Sequence, residues 1–347
     1  MGSNSPFAPN QIKIALIGGG TGSFTLLTAL KNHTSQLAAL VNMADDGGST
    51  GQLRDELGAL PPGDVRQCLV ALSRTQEMRD LFNYRFEDGS LKGHAFGNLF
   101  LTALEKMTGD FAEGVRVAGE VLNITGSVEP ITLNDVKLVM RDNAGNETFG
   151  EFEISQMQFA DERPDFRLES KDGNEVKANP RAIEAILQAD MVIVAPGNIY
   201  GSLAPALIVP GVGEALSKTQ AFCAYVCNLV TKPGQTDGYT VADFASEVER
   251  LAGYEFLDAV LFNTEKPSDD LLKKYAKEGE LSVEFDMDEM RTQRYAAVGA
   301  NLLSGSIWQN SNSSDPIASA RTLIRHDPRA TAAALVDLYK KIGTYRG

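Results

Sequence analysis

The chain has 347 residues, of which 43% are hydrophobic and 22% charged, a composition typical of a globular protein with a sizeable core. Its formal net charge of −14, and the absence of any run rich in Lys and Arg, argue against nucleic acid or an anionic membrane surface as a partner. No apolar run reaches the ~18 residues of a membrane-spanning helix, so we expect no membrane span and a cytoplasmic location.

Short apolar segments with β-branched residues alternate with amphipathic segments along most of the chain. This alternation favours an α/β fold with a mostly parallel, doubly wound sheet between layers of helices. The predicted core strands are Ile12–Ile17, Ala38–Asn42, Met191–Val194, Phe222–Asn228, Ala259–Asn263 and Leu281–Phe285. The predicted helices are Phe24–Lys31, Val65–Leu72, Gly97–Met107, Phe111–Leu122, Pro180–Gln188, Val241–Leu251, Ser268–Glu278 and Arg329–Ile342.

One segment departs from this alternation. Val136–Ile154 alternates between apolar and polar residues around the turn signal Asp142–Asn146, which predicts a β-hairpin. A second polar, extended stretch, Glu153–Val176, follows around Lys171–Asn174. We therefore expect one domain over residues 11–345 with a small β-rich insertion over residues 130–178, and a polar loop at Gln309–Pro316.

The first glycine cluster, Gly18-Gly19-Gly20-Thr21-Gly22, follows the first predicted strand directly. Backbone N–H groups and the N-terminus of the next helix would together form a site for a phosphate group. No Lys follows Gly22, so the cluster is not a P-loop, and Ser23 stands where a dinucleotide fingerprint has its third glycine or alanine. A tight strand-to-helix turn without a ligand is the alternative.

A second glycine-rich segment, Asn42–Gly51, follows the second predicted strand and contains Asp45 and Asp46. In a parallel sheet this segment lies at the same edge as the first cluster. The two carboxylates suit either a magnesium ion that bridges phosphates or a ribose hydroxyl. An acidic turn with an Asx motif is the alternative.

Three further polar residues stand at the starts of predicted helices. Asp64 is a candidate N-cap, Arg66 lies one turn into the helix and could bind a phosphate or carboxylate, and His94 is a candidate ligand-binding residue before a helix that begins at Gly97 or Asn98. Asn98, at that helix start, is a further candidate for ligand binding. Each also has a structural alternative as a cap or a hydrogen-bonded framework residue.

Polar residues also follow the later predicted strands. Since the carboxyl ends of parallel strands share one edge, they would converge on a single cleft. These residues are Asn198, Tyr200, Asn228, Thr231 and Asn263. Arg325, next to His326 before the last helix, is a natural partner for a diphosphate, with a salt-bridged helix start as the alternative.

Cysteine usage indicates neither disulfides nor a zinc site. Cys68, Cys223 and Cys227 have no metal-ligand spacing and are expected to be reduced, buried thiols. Gly-x-Ser-x-Gly is absent as well, which argues against an α/β hydrolase.

Taken together and in order, these motifs closely resemble the gluconeogenesis factor family (the YvcK-like proteins), in the superfamily that includes 2-phospho-L-lactate transferase, CofD. The resemblance extends from about Lys13 to Leu338, and Ala44–Arg66 is its most specific part. The matching segments are Gly18–Gly22, Ala44–Gly51, Pro61–Arg66, Leu81–Phe86, Gly93–Asn98, Ala195–Tyr200, Asn228–Gly234 and Arg325–Asp327.

The resemblance implies a Rossmann-like three-layer α/β/α core that binds a nucleotide sugar such as UDP-N-acetylglucosamine, in a regulator of carbon metabolism and cell-wall morphogenesis. The diphosphate would lie on Gly19–Gly22, with Arg325 neutralising it. Asn198, Tyr200, Asn228 and Thr231 would line the base or sugar side. Binding itself would need no cofactor, and a homo-oligomer or a regulatory protein partner is compatible with this role.

A second hypothesis from the same resemblance is a magnesium-dependent transferase that uses a nucleotide diphosphate donor. Magnesium would then be held by acids after the second strand, for which Asp46 and Asp64 are the candidates. A Rossmann-type oxidoreductase is a weaker third hypothesis, because the third fingerprint glycine is missing.

Overall fold

The structure is a computed structural model that describes residues 12–159, 163–277, 279–304 and 324–343. The predicted loop at Gln309–Pro316 lies outside these residues. The strands are β1 Ile14–Gly18, β2 Leu37–Val41, β3 Ser127–Pro130, β4 Val136–Arg141, β5 Glu147–Phe149, β6 Asp165–Ser170, β7 Met191–Val194, β8 Phe222–Val226, β9 Ala259–Asn263 and β10 Ala296–Ala300. The first seven helices are α1 Gly20–Leu30, α2 Gly48–Leu57, α3 Gly63–Leu72, α4 Gln76–Asn83, α5 Phe96–Thr108, α6 Phe111–Val121 and α7 Glu151–Gln156. The others are α8 Pro180–Gln188, a π-helix at Ile199–Leu203, α9 Ala204–Leu207, α10 Val212–Lys218, α11 Val241–Ala252, α12 Asp269–Lys277, α13 Met287–Thr292 and α14 Pro328–Ile342.

The main sheet has seven strands in the order β10-β9-β8-β7-β1-β2-β3, and all its pairings are parallel. Every residue of β1, β7 and β8 is buried, as expected for central strands covered by helices on both faces. These observations confirm the predicted α/β class with a mostly parallel sheet.

The strand order changes direction beside β1. From β1 the chain adds β2 and β3 on one side, and it later adds β7, β8, β9 and β10 outward on the other side. Loops that leave neighbouring strands toward opposite sides open a crevice at the carboxyl edge, where ligands of such sheets bind. The fold therefore places the crevice between the loop after β1 and the loop after β7.

One predicted core strand is wrong. Leu281–Phe285 makes only isolated bridges, from Ser282 to Val230 and from Glu284 to Thr240, and its apolar side chains Val283 and Phe285 pack against the core. The alternation reflects this one-sided packing rather than membership of the sheet. Strand β10 takes the edge position instead, although its Ala- and Gly-rich sequence carries little strand propensity.

The β-hairpin around Asp142–Asn146 is confirmed, and β5, β4 and β6 form a three-stranded antiparallel sheet in that order. The Asp142 carboxylate accepts the Asn146 backbone N–H at 2.7 Å and closes the turn. The extended stretch predicted to begin at Glu153 is wrong at its start, because helix α7 occupies Glu151–Gln156.

The three cysteines are buried and free, as predicted. No single described helix is long and apolar enough to cross a membrane, and the one pair of helices that passes such a test together, Ile199–Leu207 with Val212–Lys218, is bent by 74°.

Candidate functional site

The first glycine cluster forms the floor of the crevice. Strand β1 ends at Gly18, Gly19 is the extended N-cap of α1, and Gly20 has a φ of +62° that only glycine and a few polar residues adopt readily. Gly22 packs directly on the backbone of Pro196, in the loop after β7, with no room for a β-carbon. The exposed Thr21 and the first turn of α1 therefore lie at the point where the strand order changes direction.

Asp64 lies against this cluster, but it is not the N-cap that the sequence suggested. Pro62 is the N-cap of α3, so Asp64 belongs to the first helical turn, and its carboxylate accepts the Gly20 backbone N–H. A β-carbon on Gly19 would collide with that carboxylate. Burial, followed by the nearby Asp45 carboxylate, raises the pKa of Asp64 to about 7.

Asp45 and Asp46 point in different directions. The Asp45 carboxylate accepts the Gly47 N–H at 3.0 Å and faces Gly63, and burial raises its pKa. The Asp46 carboxylate instead accepts the backbone N–H of Phe152, at 2.9 Å, in the insertion. Asp64 therefore interacts most strongly, by repulsion, with Asp45. The sequence had instead suggested Asp46 and Asp64 as the two candidate metal ligands.

Glu151 is a site residue that the sequence reasoning missed. It is the first residue of α7, and its side chain lies beside Gly201 in the loop after β7. Burial, followed by repulsion from Asp45, Asp64 and Asp46, raises the pKa of Glu151 to about 9. No spacing in the sequence relates an insertion residue to acids more than 80 positions earlier.

The acids fit a hard cation in donor chemistry, since carboxylate oxygens are the ligands that magnesium prefers and a cation would relieve the repulsion that raises these pKa values. Among the residues that the structure describes, however, no three His, Cys, Asp or Glu side chains already stand close enough to hold a metal ion. Asp45 and Asp64 are close enough to raise the pKa of Asp64 through their repulsion.

Arg66 and Asn98 come together near this acidic cluster, and the buried His94 lies just before α5, the helix that carries Asn98. The buried Arg66 guanidinium donates from Nε to Asn98 Oδ1 at 2.9 Å and from Nη1 to Asn83 Oδ1 at 2.5 Å. His94 is 8% exposed. Burial and, next, repulsion from Arg85 lower the pKa of Arg66 to about 10. These side chains form a framework under Asp64 rather than an open phosphate site.

The polar residues after β7 and β8 divide between the crevice and the core. Asn198 accepts the Tyr200 and Gly201 N–H groups as the cap of the π-helix, and Asn228 donates to the Gly197 carbonyl at 2.8 Å. Tyr200 is fully buried, and its hydroxyl lies 2.9 Å from that of Tyr239. The sequence expectation that Tyr200 lines the ligand is corrected by this burial, since its ring belongs to the core.

Thr231 and Asn263 are both engaged with the backbone. Thr231 is 3% exposed; its backbone N–H donates to the Leu281 carbonyl at 2.7 Å, and its hydroxyl oxygen accepts the Leu281 N–H at 3.1 Å. The Asn263 amide oxygen accepts the Leu302 N–H at 3.1 Å, and this residue lines the larger of two cavities at the carboxyl edge of the sheet.

Two neighbouring cavities occupy the carboxyl edge of the sheet. A cavity of about 200 Å³ lies between the first turn of α1, the loops after β7 and β8, and the segment that contains Arg325 and His326. A larger one of about 540 Å³, more apolar than polar in its walls, includes Phe262, Asn263 and Phe285. Asn228 and Leu229 line both, so the two cavities share a wall.

His326 holds the segment of Arg325 in place. Its ring nitrogen Nε2 lies 3.1 Å from the Cys227 carbonyl oxygen, to which the neutral ring donates, and burial lowers the pKa of His326 to about 4. A folded-state pKa below the unfolded value of 6.5 means that the unfolded chain binds the proton more tightly. Stability from this group is therefore present above pH 6.5 and is lost as the pH falls toward 4.

We expect His326→Gln to remove this part of the acid sensitivity. Between pH 7 and pH 5 the wild type should lose about 2 kcal/mol of unfolding free energy more than the variant, because the glutamine amide can still donate to Cys227 without titrating. Urea unfolding at the two pH values measures the difference. Equal losses in both proteins would contradict the burial of a neutral histidine.

Comparison with known proteins identifies a matching family, similar sequences and a similar crystal structure. The profile of the family described as 2-phospho-L-lactate transferase CofD matches residues 14–303. The gluconeogenesis factor of Bacillus subtilis is 38% identical over 331 residues, covering 95% of this chain and 98% of its own. A relative from Thermotoga maritima is 42% identical over 282 residues, covering 81% of this chain and 88% of its own. A crystal structure of a UPF0052 family protein from Bacillus halodurans aligns with a TM-score of 0.83 at 34% identity, over 94% of this chain and 99% of that one.

Proposed function

The chain belongs to the CofD family, among its gluconeogenesis factor members, and from this premise we propose that it is a regulatory protein that binds a nucleotide sugar similar to UDP-N-acetylglucosamine. The regulated processes would be carbon metabolism, as the name of the Bacillus subtilis relative suggests, and cell-wall morphogenesis. Ligand binding rather than turnover would be its central activity.

The pair of cavities is the observation that carries this proposal. The smaller cavity combines the N-terminus of α1 with Arg325, which is the arrangement that holds a diphosphate. The larger cavity shares Asn228 with it and offers apolar walls with a few polar groups, as a nucleoside or sugar requires. A ligand with a central diphosphate and a bulky group attached would fill both.

The charge of the chain makes these local groups decisive. With a net charge of −14 the overall field opposes an anionic ligand. The helix N-terminus and the Arg325 guanidinium are then the groups that compensate the diphosphate, and each charge-assisted hydrogen bond contributes roughly 1.5–3 kcal/mol.

Calorimetric titration with UDP-N-acetylglucosamine, UDP, GDP and NAD, each with and without magnesium, tests the proposal. We expect selective, magnesium-independent binding of the nucleotide sugar without product formation. Arg325→Ala should weaken that binding by roughly 10- to 100-fold, because a charged contact to the diphosphate is lost. Arg329→Ala, at an exposed position in α14, is the matched control and should bind like the wild type. Unchanged affinity in Arg325→Ala would contradict this placement of the diphosphate.

A magnesium-dependent CofD-like transferase is the second candidate, and the Asp45–Asp64 pair is the observation that favours it. Magnesium would supply charge stabilisation for a leaving nucleotide, while Asp45 and Asp64 would position it beside the first glycine cluster. A magnesium-dependent preference for GDP in the same titration, together with turnover of a guanosine diphosphate donor, would favour the transferase hypothesis over the regulatory one.

A further inference from the structure

Asp46 is one of the residues that connect the segment after β2 to the insertion. One oxygen of its carboxylate accepts the Phe152 N–H at 2.9 Å across 106 positions of sequence, and the other faces Gly150. Gly150 has a φ of +99°, and a β-carbon there would lie 2.5 Å from Asp46 Oδ2. Both carboxylate oxygens are thus directed at the start of α7 rather than at the Asp45–Asp64 pair.

Segments that follow β7 and β8 also contact the insertion. The Gln235 side chain donates to the carbonyls of Ile154 at 2.9 Å and Met157 at 3.1 Å. The Tyr200 ring stacks on Phe166 of β6, with centroids 5.1 Å apart and planes 16° apart. The insertion is therefore in contact with the loops that follow β2, β7 and β8.

Helix α7 depends on these contacts for its position. It has six residues, too few to be stable as an isolated helix, and it has no side-chain cap from its own N-cap residue Gly150. Asp46 satisfies one of the N–H groups that the start of the helix leaves without a partner in the helix itself. The same helix carries Glu151 to the acidic cluster, where its charge is opposed by Asp45 and Asp64.

We propose that Asp46 is a positioning residue: it holds helix α7 and Glu151 beside Asp45 and Asp64, the acids next to the first glycine cluster, so that occupancy of the crevice and the order of the insertion are thermodynamically linked. The linkage is reciprocal, so a ligand that binds more tightly when α7 is in place also stabilises α7. This linkage rests on the proposed ligand binding, whereas the positioning role of Asp46 does not. It assigns Asp46 a role different from the magnesium or ribose contact that the sequence suggested.

Two substitutions separate the positioning role from a role as a ligand. Asp46→Asn keeps an oxygen that accepts the Phe152 N–H, whereas Asp46→Ala removes it. Without any ligand, hydrogen exchange at residues 150–157 should be close to that of the wild type in Asp46→Asn and about five- to tenfold faster in Asp46→Ala, the loss expected for a removed helix cap. Asp45→Asn is the comparison variant: the Asp45 carboxylate accepts the Gly47 N–H and acts on α7 through repulsion of Glu151, so its loss should not make exchange at residues 150–157 faster.

The binding arm uses magnesium alone and UDP-N-acetylglucosamine. Asp46→Asn should retain wild-type affinity for both, Asp46→Ala should bind the nucleotide sugar about five- to tenfold more weakly, and the sugar should slow exchange at residues 150–157 of the wild type. Unchanged exchange in Asp46→Ala would overturn the positioning role. Loss of magnesium binding in Asp46→Asn with intact protection would identify Asp46 as a metal ligand and overturn it as well. If the wild type bound no nucleotide sugar, the proposed function and the linkage would fall together, and the exchange arm would still decide the positioning role of Asp46.

Discussion

Gly22→Ala is expected to abolish binding of the nucleotide sugar and to destabilise the fold by about 3 kcal/mol, the upper end of the usual effect of overpacking. A β-carbon at Gly22 would overlap the Pro196 carbonyl oxygen and lie 2.8 Å from the Pro196 carbonyl carbon. Neither obstacle is a flexible side chain, so α1 would have to separate from the loop after β7. That separation would open the small cavity between them, where the diphosphate is proposed to lie.

Gly20→Asn is the comparison variant for the stability effect alone, because Gly20 itself belongs to the glycine cluster proposed to hold the diphosphate. Gly20 has a φ of +62°, but the nearest atom to a β-carbon there is Asp64 Oδ1 at 4.0 Å, so there is room for a side chain. Asparagine tolerates the left-handed region, and the fold should lose no more than about 1 kcal/mol. Urea unfolding and calorimetry on both variants make the comparison. A Gly22→Ala protein with wild-type stability and affinity would contradict the close packing of α1 on Pro196.

The sequence was informative about the sheet and about where its loops lead. The apolar runs before Gly18 and before Pro196 marked central strands, and the glycine cluster after the first strand marked the crevice. Both inferences rest on local physics, namely burial on two faces of a strand and the backbone freedom of glycine. Strand β10 was not predicted, because its small residues have no strong local preference for a strand.

Side-chain roles at the crevice depended on contacts that no local pattern reveals. Tyr200 follows a strand as a ligand-binding residue would, but Phe159 and Phe166 of a distant segment enclose its ring. In the sequence, Asp46 beside Asp45 resembles a metal ligand. In the structure, its carboxylate accepts the backbone N–H of Phe152, a residue far along the chain. Tertiary packing decides between chemically equivalent neighbours, and a single sequence does not contain that information.

Asp64→Asn is expected to make the protein more stable at pH 8 by about 2–4 kcal/mol, with a smaller gain at pH 5. The folded-state pKa of Asp64 is about 7, above the unfolded value of 3.8, so the folded protein binds the proton more tightly. Stability from this group is present below pH 4 and is lost as the pH rises through 7, where the carboxyl group ionises in the folded protein despite its burial and the repulsion from Asp45. Asparagine does not ionise, and its amide oxygen can still accept the Gly20 N–H.

Urea unfolding of the wild type and of Asp64→Asn at pH 5 and pH 8 measures this effect, with Asp80→Asn, at an exposed position of α4, as the control without a pH-dependent gain. An Asp64→Asn protein no more stable than the wild type at pH 8 would contradict the unfavourable ionisation.

If the gain is found, the wild type retains at Asp64 a carboxyl group that destabilises its own fold at neutral and alkaline pH. Groups of this kind concentrate at functional sites, where the lost stability is exchanged for binding. Under the transferase alternative, the stabilised variant should also bind magnesium more weakly than the wild type, since it lacks one of the two carboxylates proposed to hold the ion.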